Sequence, residues 1–202
     1  ESWRFTDITA EAGLSRLKNS LCRFIDFDND GDLDLLMSPR DESDASLQLF
    51  LNMDGRSFID GTKEVEIPAG IRATALGVID IDNDGFEDIV IGTGPLEMNR
   101  LLWNRGGVAV REVSLSAGFS FLDQPQQIQS LDLGTLGSRA LVYRNDRGAV
   151  TWLTVSGESG GWVRLNVRGH VPGAKVALSV RDPDWVLNEF NITMGFSAQS
   201  TL

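Results

Sequence analysis

Apolar residues come in short bursts along this chain, each closed off by acidic, asparagine or glycine positions. Leu33, Leu35, Leu36 and Met37 form one burst and Ile89, Val90 and Ile91 another, and both follow an acidic turn that contains glycine. Runs this short, bounded by turn residues, predict buried strands. A second set of strand-like segments ends in Asn: residues 49–52, 101–104 and 141–145, followed within a few positions by Gly55, Gly106 or Gly148. Alternating apolar residues that run into such Asn/Gly turns are a hairpin signal. Beyond the Gly/Ser-rich stretch 156–161 the pattern becomes plain alternation. Val163, Leu165 and Val167 alternate with Arg164, Asn166 and Arg168, and Val176, Leu178 and Val180 alternate with Lys175, Ala177 and Ser179. That period predicts two half-buried strands, with residues 169–173 as the turn between them. The division expected is a repeat region over 1–155, a linker over 156–161 and a β module over 162–202.

The turns ahead of the first two bursts are near copies. Residues 26–34 read Asp-Phe-Asp-Asn-Asp-Gly-Asp-Leu-Asp, and residues 80–88 read Asp-Ile-Asp-Asn-Asp-Gly-Phe-Glu-Asp, 54 positions later. Carboxylates at loop positions 1, 3, 5 and 9 can converge on one hard cation, and the carbonyl at position 7 adds another oxygen, as calcium requires. The expected ligands are Asp26, Asp28, Asp30, Asp32 (through its carbonyl) and Asp34 in one site, and Asp80, Asp82, Asp84, Phe86 (through its carbonyl) and Asp88 in the other. Without a cation, so many like charges in nine residues would repel. Two Ca²⁺ sites are therefore expected. Position 12, a bidentate Glu in an EF-hand, is Met37 or Ile91 here, so the loops join strands and not helices.

Other marks recur in the same register. The segment from Phe5 to Gly13-Leu14 is echoed from Phe58 and, more faintly, from Val110 to Gly118-Phe119. Aligning Gly137 with Gly85 places Asp132, Gly134, Leu136 and Ala140 where the second loop has its four acids, so residues 132–140 read as a third loop without calcium. Leu131, Leu133, Leu141 and Val142 are expected to pack there.

The strand-loop-strand motif Asp-x-Asp-x-Asp-Gly-x-x-Asp resembles the FG-GAP or VCBS repeat of integrin-like β-propellers. That resemblance implies an all-β fold, a partial or assembly-completed β-propeller of three FG-GAP-like blades. Propellers close with typically about 4 to 8 blades, so three leave open edges and faces that invite association. Gly-Gly-Trp162-Val-Arg-Leu-Asn-Val, then Gly173-Ala-Lys-Val-Ala-Leu, then Gly195-Phe-Ser-Ala-Gln199-Ser200 resembles the ASPIC/UnbV module. It follows such repeats in secreted proteins similar to cartilage acidic protein, which implies adhesion or matrix association.

Charge narrows the partners. The net charge is -11, but ten of the acids lie in the two loops, and without them the chain would be nearly neutral. Its sign argues against nucleic acid and anionic membranes. No run of about 18 apolar residues is present, so no transmembrane segment is expected. Loops of this kind suit the millimolar calcium of extracellular, cell-surface or periplasmic settings. The chain opens Glu-Ser-Trp-Arg-Phe without a basic, apolar leader, so a leader has been removed or the chain is part of a longer protein. Cys22 is the sole cysteine and is expected to be a small buried residue on the strand entering the first loop.

Catalysis is not expected. His170 lies in a Gly-rich turn, and Glu97, Glu112, Asp123 and Glu158 are scattered. The function expected is non-catalytic recognition or assembly through propeller surfaces, by binding a protein partner or by self-association. The alternative is a carbohydrate-binding accessory region of a larger secreted enzyme. Of the tryptophans, Trp103, Trp152, Trp162 and Trp185 could stack on a glycan, but Trp103 and Trp152 lie in apolar strand runs and are expected to pack between blades, and Trp185 is the least constrained.

Overall fold

The computed structural model describes residues 3–15, 20–39, 46–119, 123–132, 139–155, 175–178 and 190–193. Among them are thirteen strands and no helix, so the chain is all-β as its pattern predicts. The first sheet runs in the order β1 (Ser20–Ile25), β2 (Asp34–Pro39), β3 (Gln48–Asn52) and β4 (Phe58–Asp60). The second repeats that order with β5 (Ala75–Ile79), β6 (Asp88–Gly92), β7 (Arg100–Asn104) and β8 (Val110–Glu112). A third sheet holds β9 (Pro125–Asp132), β10 (Arg139–Asn145) and β11 (Val150–Thr154), with β10 in the middle. A separate antiparallel hairpin pairs β12 (Lys175–Leu178) with β13 (Phe190–Thr193). All pairings are antiparallel.

The leading strands of successive sheets lie side by side, β1 by β5 and β5 by β9. This is a partial propeller arc of three blades. Between the first and second sheets, Ile25, Leu36 and Leu49 pack against Leu76, Val78, Ile89, Ile91 and Leu102. The opposite face of the second sheet, with Ala75, Ile79, Val90 and Leu101, packs against Ile128, Leu141 and Tyr143 of the third. Burial on both faces explains why the apolar bursts in β5 and β6 are continuous and not alternating. Contact is closest at Gly77, where a Cβ would sit 2.5 Å from Cγ2 of Ile128. Hydrogen bonds tie the same seams. Ala73 N donates to Ser38 Oγ at 3.0 Å, and Thr74 Oγ1 donates to the Pro125 carbonyl at 2.8 Å.

Each sheet entry is preceded by one compact turn. In the first, Ala12 N donates to Ile8 O and Leu14 N to Thr9 O; in the second, Val65 N donates to Gly61 O and Ile67 N to Thr62 O; in the third, Ala117 N donates to Val113 O and Phe119 N to Ser114 O. The recurring echo is therefore a structural repeat. Its left-handed position is Gly13, Glu66 and Gly118 in turn. In the middle copy a glutamate holds the left-handed position that glycine holds in the other two. The first two turns also clasp their own sheet: the Ala12 carbonyl accepts from Phe58 N of β4, and the Val65 carbonyl accepts from Val110 N of β8.

Several placements differ from expectation. Cys22 is exposed. It pairs with Met37 across β1 and β2, on the face that also carries Phe24, away from the second sheet. Alternation within a strand cannot say which face has a neighbour. Trp152 is exposed for the same reason: on β11 it lies opposite Val142 and on the face away from the second sheet, with Val150 and the partly exposed Leu131. Leu141 packs into the seam as expected, and Val142 is half-buried on the outer side. The Asn turns also shift role. Those at Asn52 and Asn104 join the third and fourth strands of their sheets, whereas Asn145 joins β10 to β11, the second and third. Of the C-terminal strands expected, β12 is found within 175–180. Residues 163–168, Val180, the linker 156–161, Leu133, Gly134, Leu136, Gly137, Trp162, His170, Trp185, Glu158 and 195–200 lie outside the described residues.

Candidate metal centres

Both acidic loops adopt the same backbone. Each joins the first strand of its sheet to the second and reverses through two left-handed residues, Asn29 and Gly31 (φ 59° and 91°) or Asn83 and Gly85 (φ 56° and 95°). Glycine takes that conformation without penalty and asparagine tolerates it, so Asp-Asn-Asp-Gly is a folding instruction as well as a charge cluster. Backbone donors then fix the carboxylates. In the first loop Gly31 N donates to Asp26 Oδ1 and Asp32 N to Asp30 Oδ1; in the second Asp84 N and Gly85 N donate to Asp80, and Phe86 N to Asp84 Oδ1.

Two carboxylate triads result. One oxygen each from Asp26, Asp28 and Asp30 lie within 4.8 Å of one another, and so do oxygens from Asp80, Asp82 and Asp88. Calcium sits about 2.3–2.6 Å from its ligands, so oxygens across one ion are about 5 Å apart or less. The all-oxygen donor set and its spacing fit that ion. Asp32, Asp34, Asp84 and Phe86 belong to the same loops but fall outside these triads.

Asp34 and Asp88, at loop position 9, hold the architecture. Asp34 is buried and accepts from Phe27 N at 2.9 Å and Asn52 N at 2.8 Å; Asp88 is buried and accepts from Ile81 N at 2.8 Å and Asn104 N at 2.7 Å. Each carboxylate thus closes its loop onto the third strand of the same sheet. Burial pushes Asp34 up to about 6 and Asp88 up to about 7. Asp26, Asp28, Asp80 and Asp84 are also raised, first by burial and then by neighbouring acids, although the Arg139 charge opposes the rise at Asp80. A divalent ion bound among these carboxylates would favour their charged forms.

Four side chains outside the expected ligand set complete the sites. Trp103 Nε1 donates to Asp82 Oδ2 at 3.0 Å. Asn104 Nδ2 donates to the Phe27 carbonyl of the first loop at 2.8 Å and to the Glu87 carbonyl of the second at 3.2 Å. Glu87 Oε2 accepts from Asp26 N at 3.2 Å, and Arg139 Nη2 lies 3.2 Å from Asp80 Oδ2. Trp103 and Asn104 sit in a strand that sequence reads as a hairpin arm. Asn52 and Asn104 both end apolar segments that run into a Gly turn, a recurrence visible in the sequence but read there only as a hairpin signal.

Elsewhere, Arg72, Thr74, Glu97 and Gln126 help line an open cleft of about 420 Å³ at the seams between sheets. Among the described residues, no helix is long and apolar enough to cross a membrane. A search of curated proteins found no match to the chain. Residues 26–91, which span both acidic loops and the strands between them, match the family model of the FG-GAP-like repeat.

Proposed function

We propose that this chain is a calcium-stabilised, non-catalytic recognition or assembly segment that works outside the cytosol. The observation that carries the reading is the pair of carboxylate triads, set on matching loops that each brace a propeller sheet. FG-GAP-like repeats commonly take part in protein or ligand recognition. Calcium at both loops neutralises acids that would otherwise repel and leaves the sheet faces as the binding surface. Two such faces are open among the described residues, one around Phe24 and the other around Trp152 and Val150. A protein partner or a second copy suits them. The test joins two measurements on the intact chain. Calcium raises the melting temperature and EDTA reverses it, while mass photometry at rising concentration, or pull-down from an extracellular fraction, finds an associated protein. A melt indifferent to both calcium and EDTA overturns the metal role; a monomer that captures nothing overturns the recognition role.

A second reading rests on Trp152, 54% exposed on a flat strand face. Such a ring can stack on a sugar, as a carbohydrate-binding region of a larger secreted enzyme would require. Retention on a polysaccharide column, abolished by Trp152→Ala, separates this reading from the first.

A further inference from the structure

The two loops are alike within themselves and opposite at their borders. Each is touched by a side chain from the repeat that follows it, at the same place in the alignment. Glu87 is position 8 of the second loop, and Arg139 occupies the equivalent position when Gly137 is set on Gly85. Glu87 reaches back to the start of the first loop, where Oε2 accepts from Asp26 N at 3.2 Å. Arg139 reaches back to the start of the second, where Nη2 meets Asp80 Oδ2 at 3.2 Å and Nε donates to Asn83 Oδ1 at 3.2 Å. One loop therefore gains a negative neighbour and the other a positive one.

We propose that this position sets the cation affinity of the preceding loop, so that Glu87 makes the first site the tighter and Arg139 makes the second the weaker. The inference rests on the calcium reading above. A guanidinium within contact distance of Asp80 repels a divalent ion bound by the same carboxylate, and it already satisfies part of the charge the ion would neutralise. Calcium at the second loop must displace Arg139 or tolerate it. Because Arg139 opens β10, the same contact ties ion occupancy to the seating of the third sheet on the second.

The test is calorimetric titration of the full chain with calcium chloride. A second readout is terbium luminescence excited through tryptophan, which Trp103, bonded to Asp82, makes sensitive to the second loop. Wild-type protein shows two unequal dissociation constants. Arg139→Gln lowers the weaker one by about tenfold and brings terbium emission in at lower concentration, and Trp103→Phe removes that emission. Glu87→Gln raises the tighter constant, and Arg139→Lys returns the second site towards wild type. If Arg139→Gln folds, as its circular dichroism would report, yet moves the weaker constant less than about twofold, the contact is merely structural and the inference is overturned. Equal constants in the wild type overturn it too. Absence of both calcium heat and terbium emission in the wild type is a different failure, which sinks the calcium reading itself.

Discussion

The middle sheet and its two neighbours are built from similar sequences and meet different fates. Every residue of β5 and β6 is buried, because one face meets the first sheet and the other meets the third. In β11, by contrast, exposed residues alternate with half-buried ones, and β1 leaves Phe24 58% exposed. The difference lies in the number of neighbours and not in strand propensity, since Leu, Ile and aromatic residues occur in the strands of all three sheets. An apolar strand in this repeat is as buried as the sheets beside it allow.

The sharpest way to break the contrast is to remove the middle sheet's internal brace. Asp88→Ala leaves the backbone donors of Ile81 and Asn104 without their acceptor, at a cost of roughly 2–5 kcal/mol in urea unfolding. Asn104 also holds the first loop through Phe27, so the first sheet should loosen with the second in hydrogen exchange. Next comes Gly77→Val, whose added atoms collide with Ile128. It should cost about 3 kcal/mol and be partly rescued by Ile128→Ala. No rescue would mean that the seam between second and third sheets is not where the strain falls.

Metal removal asks whether ions or covered faces hold the sheets. At calcium 100-fold above Kd, one site stabilises the fold by about 2.7 kcal/mol, a gain that EDTA should abolish in a thermal melt. Proton dependence follows from the buried acids. Burial raises Asp88 to about 7 and Asp34 to about 6 from an ordinary 3.8. A carboxyl raised on folding favours the fold while it is protonated, so its contribution is present below about pH 4 and is lost as pH climbs through about 6 to 7. In EDTA the chain should therefore melt higher near about pH 5 than near about pH 8, and Asp88→Asn should flatten that slope. With calcium saturating, protons compete with the ion and the trend reverses. Smaller still is a paired test of the faces. Val90→Ala in the middle sheet should exceed Val142→Ala in the third by about 1 kcal/mol of unfolding free energy. Trp152→Ser should change stability by less than about 0.5 kcal/mol while weakening any association that uses the outer face.

Much of this was readable in the chain because clustered carboxylates and strand burial leave periodic marks. The repeated nonapeptides located both triads, and the apolar bursts behind them located β2 and β6. What escaped has a common cause, since a strand's alternation names two faces without naming their neighbours. Cys22 and Trp152 therefore had to await the arrangement of sheets. Glu66 stands in a left-handed position that the other two copies of the recurring turn give to glycine, so the residue there did not announce the shared conformation, and the Asn145 turn kept its chemistry while moving to a different pair of strands. Contacts that cross between repeats, such as Asn104 to Phe27 and Arg139 to Asp80, are 77 and 59 positions apart in sequence. No local pattern announces them.

The clasp between each entry turn and the last strand of its own sheet bears on how such a chain can be lengthened. Because the Ala12 carbonyl holds Phe58 N and the Val65 carbonyl holds Val110 N, the segments 8–60 and 61–112 each begin and end in mutual contact. A duplication or recombination event that cuts just after β4 or β8 hands on a unit whose two ends are already fastened. One that cuts at the start of β1 or β5 separates every clasp from the strand it fastens. Copies of the first kind can be added to an arc one at a time, which is how a chain can gain blades without passing through a form whose sheets come undone.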